Sequence, residues 1–296
     1  GSSKEKRFAP ILYIIDELDK WNDINELRKA NPNLGVSVSV DYMLEEIAIA
    51  EGSLSKKAEF LTKYCNVKQN SSVAWLEYTE VENCCGEIDV DKLRHKYCVG
   101  GVDLSQAIDF TSACVVIEDK GRLYVIQHYW MPHERLEKAI EEDGVPYRQL
   151  IQRGFLSLSG ENYVDYNDVF EWFRNLVEQY EILPLQVGYD KWCATYFVDQ
   201  MTKYGFHMDD VRQGSNLTPV IREVDGLLKD GVVCIGDNTL TQAHFLNSAL
   251  KQEEDRVRLV KISKRARIDG MAAFLDAMTV RQKHYANIGA QLKNEG

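Results

Sequence analysis

The sequence predicts an α/β fold in which helices flank a mixed sheet, part antiparallel meander and part parallel strands. Three strand-like segments lie close together at 97–103, 112–118 and 122–130, and the turn sequence Asp119-Lys120-Gly121 joins the last two. Beyond residue 165, segments with helical spacing of apolar residues alternate with short strand-like segments. Because 45% of the 296 residues are hydrophobic, the chain can bury a sizeable core.

Each later element has its own signal. Apolar spacing marks the helices, β-branched runs mark the strands, and Thr218-Pro219 supplies an N-cap followed by proline. The predicted elements, in order, are a helix at 169–180, a strand at 185–189, a helix at 194–201 stopped by Gly205, a helix from 218, strands at 232–235 and 256–262, and a final helix at 268–279. Within the insert 131–160, the sequence pattern predicts a helix at 134–143 and a hairpin at 154–160. The role of this insert stays open.

The first 90 residues differ from the rest. Acidic residues cluster around Trp21, Asp41 is placed to cap a helix running to about residue 64, and the acid-rich stretch 77–92 has the pattern of a linker. We therefore expect residues 1–90 to form a helical and linker segment and residues 91–296 to form the main domain. The start Gly1-Ser2-Ser3 is typical of a tag-cleavage scar, so we expect the chain to be a fragment of a longer protein.

Charge and composition exclude several classes of protein. The chain has 35 basic and 46 acidic residues, a net charge of −11, which excludes a globally basic nucleic-acid binder but not a local basic patch. No stretch approaches the roughly 18 apolar residues that a membrane helix requires. The seven cysteines contain no C-x-x-C pair, which argues for a reducing compartment and against a structural zinc site.

Three carboxylates stand at the ends of predicted elements. Asp103 closes the first strand of the meander, Asp190 closes the strand at 185–189, and Asp269 opens the final helix. If the two strands are neighbours, Asp103 and Asp190 lie side by side, and the helix can add Asp269. Three carboxylates in one cleft repel each other, and hard divalent cations with oxygen ligands relieve that repulsion. A single aspartate at a strand end is more often a turn or cap residue.

Asp276 competes with Asp269 for the third position. The two residues are seven apart, about 10.5 Å along a helix axis, so one cation cannot be held by both. Asp269 is preferred because Gly270 follows it and a basic run precedes it. Asp276 stands among Leu275, Ala277 and Met278, where a cap or salt bridge is the expected role.

A basic run leads into the final helix. Residues 256–267 contain six basic residues and no acidic one. We expect Lys261, Lys264, Arg265 and Arg267 to form a phosphate contact surface beside the carboxylates, although a solvated surface is the common role of such runs.

These motifs resemble those of phage terminase large subunits, in the right order along most of the chain. Gly-Gly-Val-Asp103-Leu-Ser with Asp109-Phe-Thr resembles the first nuclease motif, Gly-Tyr-Asp190-Lys-Trp the second, and Arg-Ile-Asp269-Gly-Met-Ala-Ala the third. Val-Arg212-Gln-Gly214 fits the segment between the last two, and Trp21 with residues 29–35 is similar to the segment that follows the motor core.

The resemblance implies a ribonuclease-H-like nuclease that cuts double-stranded DNA during genome packaging with two Mg²⁺ or Mn²⁺ ions. It implies that Asp103 bridges both ions, that Asp190 and Asp269 each hold one, and that Asp109 supports the loop. Residues 1–90 would then be the end of the motor domain and a linker. The expected partners are DNA and, in the full-length protein, the portal and the small terminase subunit, in the host cytoplasm and without a membrane.

Two alternatives stay open at this point. One is another ribonuclease-H-like enzyme, of the resolvase or transposase type, although that would leave residues 21–35 unexplained. The other is a non-catalytic packaging scaffold with a vestigial acidic cleft.

Overall fold

The computed structural model describes residues 13–17, 20–51, 60–66, 72–104, 110–143, 145–190 and 194–293. It divides the chain into two compact units, Gly1–Glu77 and Tyr78–Gly296. None of the described helices combines the length and the apolar character needed to cross a bilayer.

The first unit is mainly helical. It contains α1 (Ile24–Ala30), α2 (Val40–Glu51), a helical turn at 60–63 and the short strand β1 (Ser72–Ala74). Asp23 caps α1 by accepting a hydrogen bond from the backbone N–H of Asn25. At the start of α2 the Ser39 hydroxyl takes the capping position expected for Asp41, which lies in the first turn. Of the helix expected to run to residue 64, the structure describes α2 through Glu51 and the helical turn at 60–63, and residues 52–59 lie outside the described ranges.

The acid-rich stretch expected to be a linker belongs to the second unit. It forms α3 (Tyr78–Asn83) and a 3₁₀ helix at Val90–Leu93. Cys84 is buried, its thiol donates to the carbonyl of Leu228, and its carbonyl accepts from the backbone N–H of Ile235. The two units therefore divide earlier than the expected boundary at residue 90.

A seven-stranded mixed sheet organises the second unit. Its strands are β2 (Tyr97–Asp103), β3 (Thr111–Asp119), β4 (Arg122–Met131), β5 (Leu156–Leu158), β6 (Leu183–Asp190), β7 (His207–Val211) and β8 (Val233–Cys234). They lie in the order β5-β4-β3-β2-β6-β7, with β8 beside β4. The β2–β3–β4 meander is antiparallel, whereas β6 is parallel to β2 and β7 is parallel to β6. This confirms the predicted mixed sheet.

The turn between β3 and β4 has the predicted chemistry. Lys120 and Gly121 both adopt positive φ, at 51° and 79°, between the paired residues Asp119 and Arg122. Two consecutive left-handed residues match the right-handed twist of a hairpin.

Helices cover both faces of the sheet. They are α4 (Leu136–Asp143), α5 (Tyr147–Gln152), α6 (Tyr166–Glu178), α7 (Thr195–Tyr204), α8 (Thr218–Lys229), α9 (Thr239–Leu246) and α10 (Asp269–Lys293). Short 3₁₀ helices lie at His133–Arg135 and Gly214–Leu217. The strands β9 (Ser248–Glu253) and β10 (Arg256–Lys261) pair antiparallel with each other. The hairpin expected at 154–160 is instead the single strand β5, which pairs parallel with β4.

α10 crosses the sheet in direct backbone contact with two glycines. Gly101 on β2 and Gly188 on β6 are register partners. A Cβ atom at Gly101 would collide with the carbonyl oxygen of Ala273, and one at Gly188 would lie 2.5 Å from the carbonyl oxygen of Asp276. Only glycine at both positions allows the helix to lie this close to the two strands.

Substituting Gly101 tests this seating. We expect Gly101→Ala to lower the free energy of unfolding by about 1–3 kcal/mol or more, because the new methyl group meets backbone atoms that cannot rotate away. Urea unfolding followed by circular dichroism measures the change. Gly226→Ala is the matched control, since Gly226 is exposed within α8 and a Cβ there meets nothing within 4 Å. The control should be neutral or more stable by up to about 1 kcal/mol. Equal stability of Gly101→Ala and the control would contradict the account.

Candidate active site at the carboxyl ends of two parallel strands

Asp103 and Asp190 end neighbouring parallel strands in matching register. The last aligned pair of β2 and β6 is Val102 with Tyr189, so the aspartates follow one residue later on both strands. Parallel neighbours lie about 4.8 Å apart. Each aspartate stands two residues after a glycine that contacts α10, and alternate residues share a face of a strand. Both side chains are therefore on the α10 face, which confirms the expected proximity of these strand ends.

Asp276 of α10 lies near the same two aspartates. Its side chain is fully buried, and its backbone carbonyl contacts β6 at Gly188. The amide of Gln213 donates to Asp276 Oδ1 at 2.8 Å. Oδ2 is buried and has no hydrogen-bond partner among the described residues. The cap or salt bridge expected for Asp276 is absent from the described part of the chain, and a single amide holds one of its oxygens.

The charge of Asp276 is unfavourable in this position. Burial raises the pKa of Asp276 well above its usual range, and the nearby carboxylates of Asp103 and Asp190 raise it further. Both effects favour the protonated acid, because a buried negative charge loses its hydration and is repelled by like charges. Asp276 therefore carries a large cost when ionised unless a cation balances the site.

Asp269 lies at the same edge of the sheet, but over other strands. The next residue, Gly270, packs on Tyr129 of β4, and the side-chain amide of Gln127 donates to the Gly270 carbonyl at 2.8 Å. Tyr129 on β4 is the register partner of Ser112 on β3, and Ser112 is in turn the register partner of Asp103 on β2. Asp269 thus begins α10 at the level where β2 ends, displaced toward β4, and it is 6% exposed.

His244 is the neutral neighbour of Asp269. Burial lowers the pKa of His244 to about 3, and the positive charges of Arg267 and Lys261 act in the same direction. Its Nδ1 accepts the backbone N–H of Gly270 at 2.9 Å, which leaves the proton on Nε2. The separation of 3.9 Å between Nδ1 and Asp269 Oδ2 is therefore not an ion pair.

The structure thus places four carboxyl groups along one edge, rather than the three expected. Of the two acids on α10, Asp276 interacts electrostatically with both strand-end aspartates. The sequence analysis preferred Asp269 and did not predict this interaction. Among the described residues, no three acidic, histidine or cysteine side chains are already gathered around one metal position. Asp109, expected to support the first motif, lies outside the described residues, as do residues 191–193 after Asp190.

Gln213 is the site residue that sequence reasoning missed. It follows β7, whose last residue Val211 pairs with Asp190. Because β7 runs parallel to β6, the residues after it collect at the same edge. The sequence His-Met-Asp-Asp-Val lacks the apolar pattern of a buried strand, so β7 itself was not predicted.

The basic residues expected to contact DNA separate into two groups. Lys264 and Arg265 are exposed and line a cleft of about 450 Å³ with the acidic end of α4. Arg267 is largely buried, with its guanidinium over the ring of Phe110 and its Nε 3.4 Å from Asp143 Oδ2. Lys261 is partly buried on β10. Of the four residues expected to contact DNA, Lys264 and Arg265 are thus the exposed ones.

Comparison with known proteins gives a consistent set of relatives. A family model described as terminase large subunit, endonuclease domain, matches residues 4–285. Protein YmfN of Escherichia coli K12 is 21% identical over 294 residues, which cover 94% of this chain and 64% of that protein. The terminase large subunit of Lactococcus phage p2 is 20% identical over 261 residues, which cover 86% of this chain and 48% of that protein.

The crystal structure of the HK97 bacteriophage large terminase shares the fold. Its TM-score is 0.63 at 22% identity, and the match covers 93% of this chain and 55% of that chain. This agrees with the ribonuclease-H-like mixed sheet predicted from the sequence. The chain therefore spans about half to two thirds of the length of these relatives.

Removing the charge of Asp276 should stabilise the protein at neutral pH. In metal-free buffer with EDTA, we expect Asp276→Asn to raise Tm by about 2–4 °C at pH 8, corresponding to roughly 1 kcal/mol. The asparagine carbonyl can still accept from Gln213. Because the folded-state pKa of Asp276 is raised, its destabilising effect is absent below the unfolded-state value of about 4 and grows as pH rises toward the raised value. The gain should therefore vanish near pH 4. Thermal unfolding at both pH values checks this, and an equal gain at pH 4 and pH 8 would contradict the electrostatic explanation.

Proposed function

Because this chain belongs to the family of terminase large subunit endonuclease domains, we propose that it is a divalent-metal-dependent endonuclease that cuts double-stranded DNA during phage genome packaging. The observation that carries the proposal is the convergence of Asp103 and Asp190, at the ends of two parallel strands, with Asp276 of α10. The site is built from carboxylates, which suits cation-assisted hydrolysis by water better than a covalent nucleophile.

The residues present fit a divalent cation. Oxygen-only donors are the ligands that Mg²⁺ and Mn²⁺ prefer. Asp276 Oδ2 is buried and has no hydrogen-bond partner among the described residues, and the nearby carboxylates of Asp103 and Asp190 disfavour the ionised form of Asp276. A bound cation would favour that ionised form.

Asp103, Asp190 and Asp269 would hold the two ions through their carboxylate oxygens. When bound, the ions would stabilise the charge that develops on the phosphodiester oxygens and would lower the pKa of an attacking water.

Lys264 and Arg265 would steer the DNA backbone toward the carboxylates. They follow β10 and precede α10, so they lie on the approach to Asp269 along the chain. Phosphate contacts of this kind orient the duplex without reading its sequence. The acidic residues Glu141, Glu142 and Asp143 line the same cleft, where Glu142 pairs with Arg135 and Asp143 lies near Arg267.

The wider setting follows from the family. In the full-length protein we propose that the portal and the small terminase subunit are partners and that cleavage takes place in the host cytoplasm. Of the expected segment 1–90, residues 1–77 form the first unit and would be the end of the motor domain. Asp109 would support the loop after the first motif.

Cleavage of plasmid DNA tests the proposed reaction. We expect nicking or linearisation with Mn²⁺ or Mg²⁺ and none with EDTA, and a loss on the order of 10²-fold or more in Asp103→Asn, Asp190→Asn and Asp269→Asn, since each would lose a cation ligand. Agarose gels follow the products over time. Asp199→Asn, at an exposed position of α7, is the charge-matched control and should cut normally.

Three results would change the assignment. Undiminished cutting in EDTA would exclude the metal mechanism and favour a different reaction at this edge. If Asp269→Asn is fully active and Asp276→Asn is inactive at saturating Mn²⁺, the third metal ligand is Asp276 and not Asp269. A protein that binds DNA but never cuts would favour the packaging-scaffold alternative.

The salt dependence of DNA binding tests the basic residues. We expect Lys264→Ala and Arg265→Ala each to reduce the slope of log K against log salt by about 0.9, for all DNA sequences alike, because each removes one phosphate contact. Fluorescence anisotropy in EDTA measures binding without cleavage. Lys92→Ala is the control, since Lys92 is 82% exposed and precedes β2 at the end opposite to Asp103. An unchanged slope in both test variants would show that Lys264 and Arg265 are solvated surface residues that contact no phosphate.

A further inference from the structure

The first turn of α10 has no cap from the residue that precedes it. The first N–H groups of a helix have no intrahelical partners, and a polar side chain just before the helix usually accepts from one of them. In α10 that place is taken by Ile268, whose carbonyl accepts the first intrahelical bond, from Ala272, but whose side chain has no acceptor. The N–H of Gly270, the second residue of the helix, therefore needs an acceptor from elsewhere in the fold.

His244 of α9 supplies that acceptor. Its Nδ1 accepts the Gly270 N–H at 2.9 Å, although the two residues are 26 apart in the chain. The histidine is buried, and its ring lies edge-on to the ring of Tyr129, with the centroids 4.8 Å apart. Tyr129 also packs against Gly270 and donates its hydroxyl to Thr241 of α9. Packing and hydrogen bonding thus hold the imidazole in place.

Gln127 of β4 binds the carbonyl of the same glycine. Its amide donates to the Gly270 carbonyl at 2.8 Å and to the hydroxyl of Ser112 at 3.0 Å. Ser112 is the register partner of Asp103 on β2. Side chains from two different elements therefore hold both backbone polar groups of Gly270, and one of them also connects the start of α10 to the strand pair that carries Asp103.

Both side chains are costly to bury. Gln127 Oε1 and His244 Nε2 have no hydrogen-bond partner among the described residues, and each is buried. A buried polar atom without a partner lowers stability. The residue that they hold directly follows Asp269, so the backbone of Gly270 determines where the Asp269 carboxylate begins. A role in placing that carboxylate explains why polar residues stand at these two buried positions.

We propose that His244 and Gln127 are positioning residues of the nuclease, which fix Gly270 and thereby place the Asp269 carboxylate relative to Asp103. This rests on the proposed function. Both side chains act through the backbone of α10. His244 serves as a hydrogen-bond acceptor, so an asparagine, whose carbonyl oxygen can take the place of Nδ1, should replace it.

Plasmid cutting at saturating Mn²⁺ tests the proposal. His244→Leu fills the space but removes the acceptor, and we expect it to lower kcat about tenfold or more with KM for DNA unchanged, because a small displacement of a reacting group is costly in rate. Gln127→Met, which removes the donor to the Gly270 carbonyl, should have the same effect. His244→Asn should recover most of the wild-type kcat.

A control variant separates positioning from a general loss of stability. Val169 is fully buried on α6. That helix covers the face of the sheet opposite α10, since a Cβ at Gly100 would lie 3.0 Å from the ring of Phe173 on α6. Val169→Ala should lower Tm and keep the wild-type kcat. An equal loss of kcat in Val169→Ala and His244→Leu would overturn the positioning role.

A double mutant tests whether His244 acts through Asp269. We expect His244→Leu to cost nothing further in the Asp269→Asn background, because the two changes remove the same contribution. An additive loss, a wild-type kcat in folded His244→Leu, or equal losses in the leucine and asparagine variants would overturn the inference. If His244→Leu does not fold, a wild-type kcat in Gln127→Met would overturn it. A wild-type protein that cuts no DNA with Mn²⁺ would instead overturn the proposed function.

Discussion

The close seating of α10 on two aligned glycines determines most of the candidate site. Gly101 and Gly188 lie side by side on β2 and β6, and the helix backbone packs against both. Each glycine stands two residues before an aspartate, so the same strand segments carry the helix and present Asp103 and Asp190 on the same face. Any side chain at either glycine would lift α10 and separate its acids from the strand ends. Packing of backbone on backbone therefore sets the distances on which the chemistry depends.

The ionised form of Asp276 lowers the stability of the fold in the absence of a cation. Burial and two acidic neighbours make the ionised form of Asp276 costly, and a buried charge is tolerated in native structures mainly where it is compensated or used. The surrounding α10 residues are apolar and fully buried, so the helix retains a strong packing interface despite the charge. A divalent cation would convert repulsion among the carboxylates into attraction, so that metal binding would stabilise the fold and prepare the site together.

Much of the fold could be predicted from the sequence, because its signals are local. The meander strands and the Lys120-Gly121 turn follow from short-range patterns, whereas the proximity of Asp103 and Asp190 required that their two strands be neighbours, as the structure shows. Other features depend on tertiary contacts. β7 has two adjacent acidic residues and no apolar strand pattern, and residues 77–92 pack through Cys84 on partners distant in the chain. In the sequence Asp276 stands in an apolar run, where a cap or salt bridge was the expected role. Only the register of α10 on the sheet shows that Asp103 and Asp190 are its neighbours. The Gly-x-Asp pattern shared by Gly101-Val102-Asp103 and Gly188-Tyr189-Asp190 was the available clue to that register.

Anomalous diffraction from crystals soaked in Mn²⁺ tests the central claim most directly, because it locates cations independently of activity. The account predicts strong anomalous peaks within about 2.0–2.6 Å of carboxylate oxygens of both Asp103 and Asp190, on the face covered by α10. An empty strand edge at saturating Mn²⁺, or peaks confined to surface acids such as Glu141 and Glu142, would contradict it.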